Sequence, residues 1–64
     1  MTTDDVRRII DKWHQKRNAW PTRDELVAAL LTAGFTVDFD ELDNLLHMLR
    51  TVHEVQIIND TFAI

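Results

Sequence analysis

The sequence predicts an α+β fold, three helices followed by a C-terminal two-stranded β-hairpin, in one domain over residues 1–64. Three observations carry that reading. Apolar residues recur at helical spacing in three separate segments. Polar residues able to cap a helix stand at the start of each. The last ten residues change pattern, to two short β-rich runs around Asn59-Asp60.

The first helix is expected over about Thr3–Arg17. Val6, Ile9, Ile10 and Trp13 fall at i, i+3, i+4 and i+7. Thr3 is the expected N-cap, with Asp4 and Asp5 at the positive end of the helix dipole. Arg8, Lys12 and Lys16 are spaced by four and share a stripe away from the apolar residues. Asn18-Ala19-Trp20-Pro21 breaks this helix, because proline disfavours the α region at the residue before it.

Thr22-Arg23-Asp24-Glu25 then reads as a capping box, with a hydroxyl at the N-cap and a carboxylate three residues on. The second helix should run to about Ala33 and bury Leu26, Val27, Leu30 and Leu31. Gly34, the single glycine, stands where a left-handed residue ends a helix. Asp38-Phe39-Asp40-Glu41 opens a third helix in the same way. Its stripe is Leu42, Leu45, Leu46, Leu49 and Val52, and it should end near Thr51–His53.

In the tail, Asn59-Asp60 tolerates positive φ and so suits a tight turn. Pairing across it sets Ile57 opposite Phe62 and Val55 opposite Ile64 on an apolar face. Gln56, Ile58, Thr61 and Ala63 share a mixed face. The expected core is Val6, Ile9, Ile10, Trp13, Leu26, Leu30, Leu42, Leu45, Leu46, Leu49, Val55, Ile57 and Phe62. The alternative is a three-helix, bundle-like domain with an irregular tail.

The order helix, extended breaker, helix, turn, helix, hairpin resembles the winged helix-turn-helix superfamily from about Val6 onward. Locally, Trp20-Pro21-Thr22-Arg23-Asp24-Glu25-Leu26 resembles the Pro-Thr-x-x-Glu-Leu/Ile lead-in to the second helix of the LexA-type repressor DNA-binding domain. The resemblance implies a first short strand at Trp20, a recognition helix at residues 39–51 and a wing tip at Asn59-Asp60. It also implies DNA binding, with contacts expected from Arg8, Lys12, Lys16, Arg23, Asn44 and Arg50.

The charge pattern points elsewhere. Residues 18–64 hold two basic and eight acidic residues, and the whole chain carries a net charge of −4. DNA affinity comes largely from cations that neutralise phosphates. A recognition helix sets its N-terminal side chains against the DNA, and here that end carries Asp38, Asp40, Glu41 and Asp43. The favoured reading is therefore a protein-interaction or self-association module. Its expected surface is Phe35, Phe39, Asp40, Asp43, His47 and Met48. A DNA-binding regulator is the alternative.

Other chemistry finds little support. The chain has no cysteine, and so no disulfide, thiolate nucleophile or zinc-thiolate site. It has no serine and no glycine-rich phosphate loop. His47 and His53 are six apart, off the i, i+4 spacing that places two ligands on one helical face. The acids from Asp38 onward miss the calcium-loop pattern at its fifth, sixth and twelfth positions. The expectations are no enzyme activity, no cofactor, no metal and no small-molecule substrate. The acidic start lacks a basic targeting pattern, and no apolar run is long enough to span a bilayer. A cytoplasmic protein with no membrane partner is expected. A core of this size rarely supplies more than about 3–5 kcal/mol unaided.

Overall fold

Caps and left-handed residues decide where each helix starts and stops. In the computed structural model, which describes Met1–Ile64, α1 spans Thr3–Arg17, α2 Arg23–Thr32 and α3 Phe39–Thr51. Strands β1 (Gln56–Ile58) and β2 (Thr61–Ala63) follow.

Helix α1 is capped by Thr2, one residue before the expected Thr3. The reason is reciprocity. Three residues beyond Thr2 stands Asp5, whose amide donates to the Thr2 hydroxyl at 3.3 Å. Its carboxylate accepts from the Thr2 N–H at 2.9 Å. Three residues beyond Thr3 stands Val6, which can return nothing. The helix ends on Asn18 in the left-handed region (φ 52°), with its N–H on the His14 carbonyl at 2.7 Å.

The expected box at α2 forms between Thr22 and Glu25, at 3.2 and 3.0 Å. At the other end, Gly34 adopts φ 93°. Its N–H reaches the Leu31 carbonyl and that of Phe35 reaches Leu30, both at 3.0 Å. This is the Schellman arrangement, whose residue after the glycine packs back on the helix. Phe35 accordingly packs against the core cluster that contains Leu30.

Helix α3 starts on Asp38, which accepts from the amides of Asp40 at 2.9 Å and Glu41 at 3.3 Å. Unlike the other two caps, it has no return bond. Its C-terminus repeats the Schellman bonds, Glu54 to Leu49 at 2.9 Å and His53 to Arg50 at 3.1 Å. Here the left-handed residue is His53 (φ 60°), a position where an L side chain is strained.

The hairpin is antiparallel, with Gln56 opposite Ala63, Ile57 opposite Phe62 and Ile58 opposite Thr61. Asn59 and Asp60 both have positive φ, 49° and 63°, the signature of a type I′ turn. The expected first strand at Trp20 is reduced to one bridge, two residues later, between Thr22 and Thr61. The Pro21 carbonyl accepts the Phe62 N–H at 2.8 Å. Pro21 has no N–H to extend the ladder. Strand β2 thus lies between this bridge and β1. Three helices and a C-terminal hairpin form a winged-helix-like layout. No helix is long and apolar enough to cross a membrane.

Nine residues form the core: Val6, Ile10, Leu26, Leu30, Leu42, Leu46, Leu49, Val55 and Phe62. All were expected there. Ile9 and Leu45 are half-buried at its edge. Four expectations fail. Trp13 is half-buried at the side of α1 under Arg17. Leu31 and Val52 are exposed; Leu31 lies roughly 100° around α2 from the buried Leu30, and Val52 caps the end of α3. Ile57 is 46% exposed although its partner Phe62 is buried. Only β2 is the inner strand, and β1 lies one strand spacing, about 4.8 Å, further out. Ala63, on the face expected to be mixed, is buried with β2.

Candidate interaction surface

The helical repeat sorts the side chains of α3. Leu42, Leu46 and Leu49 point into the core. Asp40, Asp43, Asn44 and His47 are all exposed, and their i, i+3, i+4, i+7 spacing makes them one continuous face. Phe39 and Met48 are the large apolar residues beside it, 56% and 55% exposed. They are nine positions apart, about two and a half turns, so they flank the polar face on opposite sides.

The Phe39 side is already engaged. Arg23, the first residue of α2, holds Asp43 in a forked pair. Its Nη2 donates to Oδ1 at 2.9 Å and to Oδ2 at 3.1 Å, and its Nε donates to Oδ1 at 3.1 Å. The same guanidinium stands 5.3 Å from the Phe39 ring centroid. Both partners are about half exposed, so the pair is worth about 0.2–1 kcal/mol. It straps α2 to α3 across twenty residues of sequence. One residue expected to touch DNA, Arg23, thereby neutralises one expected to touch protein, Asp43.

The Met48 side is open. Val52 lies one turn on and is 62% exposed. Neither it nor Met48 takes part in the core cluster. Asp40, Asn44, His47 and Arg50 are exposed and without an ion pair. Phe35 is set apart from this face by its packing on the core. The six residues expected to form an interaction surface therefore divide. Asp40, His47 and Met48 remain on a free face, Phe39 and Asp43 sit under Arg23, and Phe35 serves the end of α2.

The residues expected to bind nucleic acid are spread over all three helices. Arg8, Lys12 and Lys16 are exposed on α1, Arg23 begins α2, and Asn44 and Arg50 lie on α3. Asn44 and Arg50 are six residues apart, roughly 240° around the helix, so they do not share a face.

Near the hairpin, Arg7 pairs with Glu54 at 3.3 Å, tying α1 to the segment after α3. His14 stacks on Trp20, with ring centroids 3.8 Å apart and planes 5° from parallel. Its Nδ1 is buried and has no hydrogen-bond partner. No group of three or more His, Cys, Asp or Glu side chains is disposed to hold a metal ion.

Two features escaped the sequence reading. The Arg17 guanidinium lies 3.7 Å over the Trp13 ring. These two residues and Lys16 line a cleft between α1 and α2. The i, i+4 spacing of Trp13 and Arg17, with Lys12 and Lys16 alongside, was the available signal. Comparison with known families, curated proteins and solved structures gives no match.

Proposed function

We propose that this chain is a non-catalytic module with a winged-helix-like layout that binds another protein, or a second copy of itself, through the outward face of α3. One observation carries the reading. The solvent face of the helix that would enter a DNA groove holds Asp40, Glu41 and Asp43 against Arg50 alone within the helix, with Arg23 from α2 on Asp43 and the Met1 ammonium 3.8 Å from Glu41. Phosphates would be repelled by that end. Beside it, Met48 and Val52 form an exposed apolar flank of the kind that suits a protein interface with a polar rim.

DNA binding stands as the second reading, on the strength of the layout and the LexA-type likeness of residues 20–26. Those residues also have local structural work. Pro21 is buried and accepts the Phe62 N–H, Thr22 and Glu25 cap α2, and Leu26 is in the core. Arg23 is taken up by Asp43.

The test is site-specific photocrosslinking in the source cell. A photoreactive residue at Met48 or Asn44 is expected to give a discrete protein adduct. One at Gln15, on the outside of α1, is expected to give none of that mass. A nucleic-acid adduct from Asn44 would overturn the proposal in favour of the DNA reading.

A further inference from the structure

We infer that the cleft between α1 and α2 is a second docking site, and that it takes an acidic segment of a partner protein anchored by one apolar side chain. The cleft has a volume of about 280 Å³. Ligand pockets commonly run from roughly 300 to 1,000 Å³, so this one holds a side chain rather than a cofactor. Ile9, Trp13 and Ala33 supply apolar walls. Lys12, Lys16 and Arg17 supply the charge, and no acidic residue lines the cleft.

None of these three cations has an ion-pair partner within the chain. Lys12 and Lys16 are four positions apart, so they stand about 6 Å apart along the helix. That spacing meets carboxylates one turn apart on an acidic helix. The Arg17 guanidinium carbon already lies 3.7 Å over the Trp13 ring centroid. A stacked guanidinium keeps its N–H edge free for a forked bond to a carboxylate. The three cations and the apolar wall therefore read a negatively charged segment with a central aliphatic residue.

Two other occupants fit less well. A single-stranded nucleic acid would stack bases on Trp13, but Arg17 covers one face of that ring. A second copy could offer α3, but of the two carboxylates that stand one turn apart there, Asp40 and Asp43, the second is already held by Arg23.

The test is a nuclear magnetic resonance titration of the unaltered chain with three probes. The first is an end-blocked glutamate-rich peptide with one central leucine. The second replaces that leucine with alanine. The third is an oligothymidylate of equal net charge. The first probe should shift the Trp13 indole N–H and the Ala33 amide saturably. The alanine peptide should bind about tenfold more weakly, as loss of a buried anchor costs. The double variant Lys12→Gln, Lys16→Gln should lose about tenfold toward the leucine peptide. Both sites are exposed and glutamine suits a helix, so the fold should hold. The double variant Asp40→Lys, Asn44→Lys should bind that peptide at least as well as the unaltered chain. A silent Trp13 signal, equal affinity for the two peptides, or tighter binding of the oligothymidylate would each overturn the inference. So would concentration-dependent shifts in the cleft without any peptide, which would make a second copy the occupant.

Discussion

Helices α1 and α3 are built alike inside and oppositely outside. Each lays a stripe at helical spacing on the same core, with Val6 and Ile10 from one and Leu42, Leu46 and Leu49 from the other. Outside, α1 carries Arg8, Lys12, Lys16 and Arg17, none of them in an ion pair. The outer face of α3 carries Asp40, Glu41 and Asp43, and Arg23 reaches across from α2 to one of them. In a winged-helix-like layout the third helix is the one that would face DNA. A winged-helix-like layout can thus carry acids on the outside of its third helix, so the layout alone does not name the ligand.

The shared core gives the largest expected effects. Ile10→Ala and Leu49→Ala should each cost about 2–5 kcal/mol, because both side chains are fully buried. Chemical denaturation of the two variants should give losses of similar size. A loss near zero for either would mean that its helix does not share the core.

The two helix ends differ as well. Both helices stop on a left-handed residue, Asn18 for α1 and His53 for α3. Asparagine tolerates that conformation and histidine does so less readily. His53→Gly should therefore stabilise the chain by about 0.5–1 kcal/mol, and Asn18→Gly by no more than a few tenths. Equal gains in thermal unfolding would remove the distinction. Arg23→Ala should cost about 0.2–1 kcal/mol and leave α3 more acidic at its surface. Its effect on denaturation should shrink as salt is raised.

The smallest effect lies at the start of α1. The Thr2 backbone N–H, bonded to the Asp5 carboxylate, holds that group below the usual carboxylate range. Partial desolvation opposes this, and the Thr2 hydroxyl and nearby positive charge assist it. A lowered folded-state pKa gives stability that is present above the ordinary value and lost as pH falls through the folded one. Asp5→Asn should thus be less stable than the unaltered chain at about pH 6. The gap should close toward about pH 2. A gap independent of pH would assign the effect to packing.

Most of the fold was legible in the sequence because the decisive signals are local. The Thr22–Glu25 box, Gly34 as the end of α2 and the Asn59-Asp60 turn each involve residues within a few positions of one another. The failures are matters of placement. Nothing local distinguishes Ile57 from Phe62, which share a face and a register. Only the bridge from Thr22 to Thr61 makes β2 the inner strand. Trp13 keeps the helical period yet lies where the core has ended. The candidate site was half legible. The acids of α3 were plain, but the capture of Asp43 by a residue twenty positions away was not. The cleft beside Trp13 needed two helices in place before it existed.

The most direct measurement is light scattering on a sizing column, with mixed-sequence duplex DNA at low salt. The unaltered chain should elute as it does alone. The double variant Asp40→Lys, Asn44→Lys should move with the DNA, because the same face then presents cations to phosphate. Co-elution of the unaltered chain with DNA, lost as salt rises, would contradict the account and return α3 to the role of a recognition helix.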